Sequence, residues 1–108
     1  MAFIDLNSEN VKTLFPGFEG RLVHSENLTI AYWNIKKDSV LPAHSHVHEQ
    51  ITHILSGKLE LKIGDETKIV EPGIVAVIPP NIVHSGIAIT DCVALDVFTP
   101  VREDYKLL

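Results

Sequence analysis

The chain has 108 residues, 45% of them apolar, with six glycines, six prolines, a single cysteine and a formal charge of −5. These figures fit one globular domain spanning 1–108, and the acidic balance excludes a nucleic-acid partner, which demands clustered Lys and Arg where this chain offers only Lys36-Lys37. Cys92 alone allows no internal disulfide, the opening Met1-Ala-Phe-Ile-Asp5 lacks the charged start and long apolar core of a secretory signal, and no apolar run approaches the ~20 residues of a membrane span, so a cytoplasmic protein without membrane contact is expected.

In chain order, residues 1–20 are the least readable and are taken as an N-terminal covering segment. Residues 8–15 suit a turn of helix or a cover over a barrel end. Phe3, Ile4, Phe15 and Phe18 would cover either a partner subunit or their own barrel. Beyond Gly20, helical periodicity is nearly absent and short apolar runs recur between Gly, Pro, Asp and Asn, the pattern of a compact all-β sandwich or barrel. Strands are predicted at 21–24, 28–35, 40–41, 51–55, 58–63, 67–70, 74–78, 84–89 and 92–98. Segment 58–63 alternates strictly, which sends Leu59, Leu61 and Ile63 inward and Lys58, Glu60 and Lys62 to water. Turns are marked by Ser56-Gly57, Gly64-Asp65, Glu71-Pro72-Gly73 and Pro79-Pro80-Asn81. Such short connections favour antiparallel neighbours, and closing the sheet removes its edges.

Chemistry concentrates in His44-Ser-His46-Val-His48-Glu49-Gln50 and in His84, which follows Pro79-Pro80-Asn81. Residues two apart in extended chain share a face, so His44 and His46 could reach one ion, with Gln50 wrapped toward it by a bend and His84 arriving from a later strand. A divalent metal ion is therefore the expected cofactor. Imidazole and amide donors accommodate Zn, Ni, Fe, Co or Mn alike. The competing reading is an exposed polar loop. Glu49 is a rival ligand of opposite parity, and His48 is either a rim residue or a surface histidine. His53 is expected to pack or make one hydrogen bond, His24 to sit on the surface, and Cys92 to act as a small buried hydrophobe.

His44-x-His46-xxx-Gln50-xxxxxx-Gly57 resembles the first motif of the cupins, and Gly73-xxxxx-Pro79-x-Asn81-xx-His84 resembles the second. The resemblance implies a small double-stranded β-helix (jelly-roll) barrel with a divalent metal in its mouth, often as a homodimer. Four positions depart from the pattern: Asp38 and Asn81 replace glycines, Ala88 replaces an Asn, and Gln50 stands where most cupins place Glu. The amide leaves the ion's full charge in place, which makes a stronger Lewis acid that binds less tightly.

A second group closes the chain, in Asp96-Val-Phe98-Thr-Pro-Val-Arg102-Glu-Asp104-Tyr105. Asp96 and Phe98 share parity and would present a carboxylate and an aromatic wall to one cavity, while Arg102 could fold back over the mouth and offer a bidentate fork to a carboxylate. The alternative is an edge strand ending in a solvated tail over 99–108. Both this ending and the histidine block are similar to the KdgF-like cupins of pectin degradation. That resemblance implies conversion of 4,5-unsaturated uronates to linear ketonised sugars, with Asp96 and Arg102 catalytic and Phe98 shaping the pocket. Its partner would be a small anionic substrate, a sugar acid. Another metal-dependent cupin enzyme, such as a dioxygenase, lyase or isomerase, and a non-catalytic module for small anions are the competing functions.

Overall fold

The computed structural model describes residues 2–108. Ten strands run in order: β1 (Lys12–Phe15), β2 (Phe18–His24), β3 (Thr29–Ile35), β4 (Val40–His44), β5 (Glu49–Ser56), β6 (Leu59–Ile63), β7 (Glu66–Val70), β8 (Val75–Ile78), β9 (His84–Ala88) and β10 (Cys92–Thr99), with 3₁₀ turns at Leu6–Ser8 and Tyr105–Leu107. They form a six-stranded sheet, β1-β2-β3-β10-β5-β8, and a four-stranded sheet, β4-β9-β6-β7. Each pairing is antiparallel, and the fold is the expected all-β jelly roll.

Alternation along the strands fills the space between the sheets. Trp33, Ile54, Ile78, Ala94 and Phe98 from the six-stranded sheet share one core with Leu59, Leu61 and Ala88 from the other. Cys92 is buried within it as a free thiol whose pKa burial raises. Leu59 and Leu61 are buried as the alternation requires, with Ile63 packed beside them.

The strand boundaries needed correction in three places. Of residues 8–15, Ser8 ends a 3₁₀ turn and Lys12–Phe15 form β1, which pairs with β2 as a hairpin at the edge of the larger sheet, with Leu14 and Phe15 packed on the core. Strand β2 begins at Phe18 and runs through Gly20, which looked like a boundary. Gly20 is there because a Cβ would meet the Tyr32 carbonyl at 2.2 Å and the Trp33 ring at 2.5 Å. Strand β4 continues through Pro42 to His44, which an edge strand tolerates because its outer N–H groups need no ladder partner. The aromatic residues divide: Phe18 is buried and Phe15 packs on it edge-on with centroids 6.2 Å apart, whereas Phe3 and Ile4 are exposed.

Two of the departures from the family pattern keep the backbone that glycine would supply. Asp38 and Asn81 both adopt positive φ, at 70° and 65°, a region that short polar side chains reach more readily than other non-glycine residues. Gly57, at φ 85°, is fixed more tightly, since a Cβ there would lie 2.1 Å from the Asp91 carbonyl.

Candidate metal centre

The histidine block crosses from one sheet to the other. His44 ends β4 and lies opposite His84, the first residue of β9, so that their rings sit 4.2 Å apart. The chain then leaves the smaller sheet through His46, bends at Val47-His48, and enters β5 in the larger sheet, where Gln50 points inward and Glu49 outward. His46 therefore lies in the link between β4 and β5, outside either strand.

Main-chain carbonyls orient all three imidazoles. Nδ1 lies 2.7 Å from the Pro42 carbonyl in His44, 3.0 Å from that of His48 in His46, and 2.9 Å from that of Ile82 in His84. A neutral ring that donates its single proton there is left with a bare Nε2, the form in which histidine ligates metals. One ligand atom from each of the three rings falls within 4.8 Å of the others. His84 is buried and its Nε2 has no hydrogen-bond partner.

His46 carries the argument further. Its Nε2 lies 3.0 Å from Gln50 Oε1, while its Nδ1 faces the His48 carbonyl, so both ring nitrogens meet acceptors. Satisfying both without a cation needs an imidazolium, yet burial, followed by Arg102 and His84, lowers the His46 pKa to about 4. Burial likewise lowers that of His84. A cation beside Gln50 Oε1 would resolve the mismatch, so His44, His46, His84 and Gln50 fit a divalent metal ion.

The C-terminal group lies alongside. Asp96 sits opposite Thr52 in the β10–β5 register and Phe98 opposite Gln50. Asp96 Oδ1 accepts from the Thr52 hydroxyl at 2.7 Å and Oδ2 from the Trp33 indole N–H at 3.1 Å. Burial raises the Asp96 pKa to about 6, against the opposing pull of the Thr52 and Trp33 hydrogen bonds, the nearby Gln50 amide and the Arg102 charge. Phe98 is buried, its ring 5.8 Å from that of His46. A cavity of about 40 Å³, bordered by His44, Gln50, Thr52, His84, Asp96 and Phe98 among others, is roomy enough for an ion and a water or two.

The ending is not a solvated tail on an edge strand. Strand β10 is paired on both sides, and Arg102 and Tyr105, within the segment that follows it, are buried. Arg102 does fold back, but its bidentate fork is taken by Asp104, through Nε at 3.0 Å and Nη2 at 2.8 Å. The guanidinium stacks on Tyr105 at 3.8 Å and on Phe98 at 4.7 Å, and Nη1 is left buried without a partner. The Arg102 hydrogen bond pulls the Asp104 carboxyl below its ordinary range.

The other histidines stand apart. His48 is half-buried on the rim, its ring 5.5 Å from that of His46 and its Nδ1 unpartnered. His53 is half-buried on the outer face of β5, and His24 Nδ1 lies 2.8 Å from the buried Thr29 hydroxyl instead of standing free on the surface. Thr52 and Trp33 border the site too, and neither belongs to the motifs read from the sequence. Thr52 had left one sign, a hydroxyl sharing Gln50's parity within an apolar strand.

The cupin domain pattern matches residues 31–98. The chain belongs to the cupin family. It is 26% identical over 83 residues to the pectin degradation protein KdgF of Dickeya dadantii (strain 3937), an alignment covering 75% of this chain and 76% of that one. The structure of KdgF from Halomonas sp. superposes with a TM-score of 0.89 at 24% identity, over 97% of this chain and 98% of that chain. An RmlC-like cupin from Shewanella frigidimarina NCIMB 400 gives 0.90 at 20% identity, over 97% and 96%.

Proposed function

We propose that this cupin converts 4,5-unsaturated uronates, the products of pectin or alginate breakdown, into linear ketonised sugars. The observation that carries the reading is a buried carboxyl, Asp96, bordering the same cavity as His44, His84 and Gln50, with the Phe98 ring lining it and the Arg102 guanidinium, its Nη1 unpaired, stacked on that ring. Similarity to two KdgF proteins supports the substrate class.

A divalent ion held by His44, His46, His84 and Gln50 would polarise the substrate's oxygens as a Lewis acid. The remaining work falls to side chains. Such a sugar is a cyclic hemiacetal whose ring oxygen belongs to an enol ether. Ionised Asp96 takes the hemiacetal hydroxyl proton, the carbonyl forms as the ring C–O bond breaks to leave an enolate, and the carboxyl returns that proton to the enolate carbon, giving the ketone. A pKa near 6 suits an acid that must both accept and release a proton near neutrality. Arg102 Nη1 is the remaining donor for the uronate carboxylate, with Asp104, Tyr105 and Phe98 holding the guanidinium in place. Phe98 walls the pocket.

The protein would work as a homodimer in the cytoplasm. Support for the dimer comes from the outer face of β5 and β8, where Ile51, Leu55, Val75 and Val77 are all exposed, and from Phe3 and Ile4. The assignment is tested by following the alkene absorbance of an unsaturated uronate with purified, metal-loaded protein. The absorbance should decay faster than in buffer, and chelation should abolish the gain. An unchanged rate would favour an anion-binding module, and oxygen consumption with iron bound would favour a dioxygenase.

A further inference from the structure

Gln50 differs from the Glu of most cupins in a way that creates a structural requirement. Either oxygen of a carboxylate can face a cation, but an amide has one acceptor end and one donor end. An amide turned the wrong way aims N–H groups at the ion. The last torsion of a glutamine is broad, so the side chain alone does not choose. Something must hold Oε1 toward the imidazoles.

The hydrogen-bond chain behind Gln50 makes that choice. Trp33 Nε1 can only donate, and an ionised Asp96 can only accept, so Asp96 draws on both Trp33 and Thr52. The single hydroxyl proton of Thr52 is committed to Asp96 Oδ1 at 2.7 Å. Its remaining lone pairs face Gln50, whose Nε2 donates to them at 2.9 Å. That leaves Oε1 on the opposite end, 3.0 Å from His46 Nε2. Thr52 is only 4% exposed and lies opposite Asp96 in the β5–β10 register.

We propose that Thr52 is a positioning residue for the metal centre, fixing the amide of Gln50 with its oxygen toward the three imidazoles. The inference rests on the reading of that cluster as a metal site. It also pairs two positions: a threonine hydroxyl at 52 is needed because position 50 is an amide.

The test uses Co²⁺ as the probe, with affinity measured by competition against a chromophoric chelator and one ion expected per wild-type chain. Thr52→Val keeps the shape of the side chain and removes both hydrogen bonds, and should weaken Co²⁺ binding about 10- to 100-fold. Thr52→Ser restores the hydroxyl and should bind close to wild type. In a Gln50→Glu background the same Thr52→Val change should cost little, because a carboxylate needs no orienting. Thr52→Ala serves in place of the valine variant if that chain does not fold. Wild-type affinity in a folded Thr52→Val protein would overturn the proposal, and so would an equal loss in the Gln50→Glu background, which would mark Thr52 as merely structural. Wild-type protein that takes up no Co²⁺ would sink the metal reading itself, and this inference with it.

Discussion

The two halves of the site are oriented over different distances along the chain. His44, His46 and His84 each lean on a backbone carbonyl two residues away, so their aim is set within short stretches of backbone. Asp96 leans on Thr52 and Trp33, which lie 44 and 63 residues away and meet it only when β3, β5 and β10 are in register. A cluster aimed locally can survive disturbance of the remote strands. A carboxyl aimed by three strands cannot, and its chemistry should be the first property lost when the barrel loosens.

The largest expected effect sits on the local side. His84→Ala should remove the bound metal, read by elemental analysis, and with it all turnover of an unsaturated uronate. Asp96→Asn should lower turnover about 10²- to 10⁴-fold, the range of a lost general acid–base group, while weakening metal binding no more than Thr52→Val does. If Asp96→Asn strips the metal as completely as His84→Ala, the two halves are not separable as described.

Acidity sharpens the contrast. Asp96 must be ionised to accept a proton, so kcat/KM should fall about tenfold per pH unit below about 6 and level off above it. Its effect on stability has the opposite sense. The folded pKa of about 6 lies above the ordinary 3.8, so the folded chain holds the proton more tightly and this group's contribution to stability declines as pH rises between those values. Denaturant midpoints of wild type and Asp96→Asn across that window should converge at low pH and separate above it.

The smallest effect tests the remote scaffold. Trp33→Phe removes one donor from Asp96, which should move the acid limb of the rate profile upward in pH and cost a few-fold in rate at neutrality. An unmoved limb would mean that the indole packs against Asp96 without tuning it.

What was legible in the amino-acid order follows the same division. The histidine spacing, the alternation at 58–63 and the turn residues are local patterns, and they disclose an all-β fold with three imidazoles brought together, while the jelly roll follows from the resemblance to the cupins. Gly20 reads as the end of the N-terminal segment because nothing local to it shows the Trp33 ring and Tyr32 carbonyl that require a glycine within the strand. Arg102 could be placed near the mouth, but its engagement by Asp104 could not, since a two-residue separation within a charged ending looks the same whether buried or solvated. Thr52 shows no more than its shared parity with Gln50, because its bond to Asp96 exists only across the register of two strands.

The bond from Trp33 to Asp96 has a practical consequence. Trp33 is the only tryptophan in the chain, so the sole strong fluorophore of the protein is attached directly to the carboxyl on which the chemistry depends. Emission from that one indole should report protonation of Asp96, and any occupant of the cavity, in unlabelled protein.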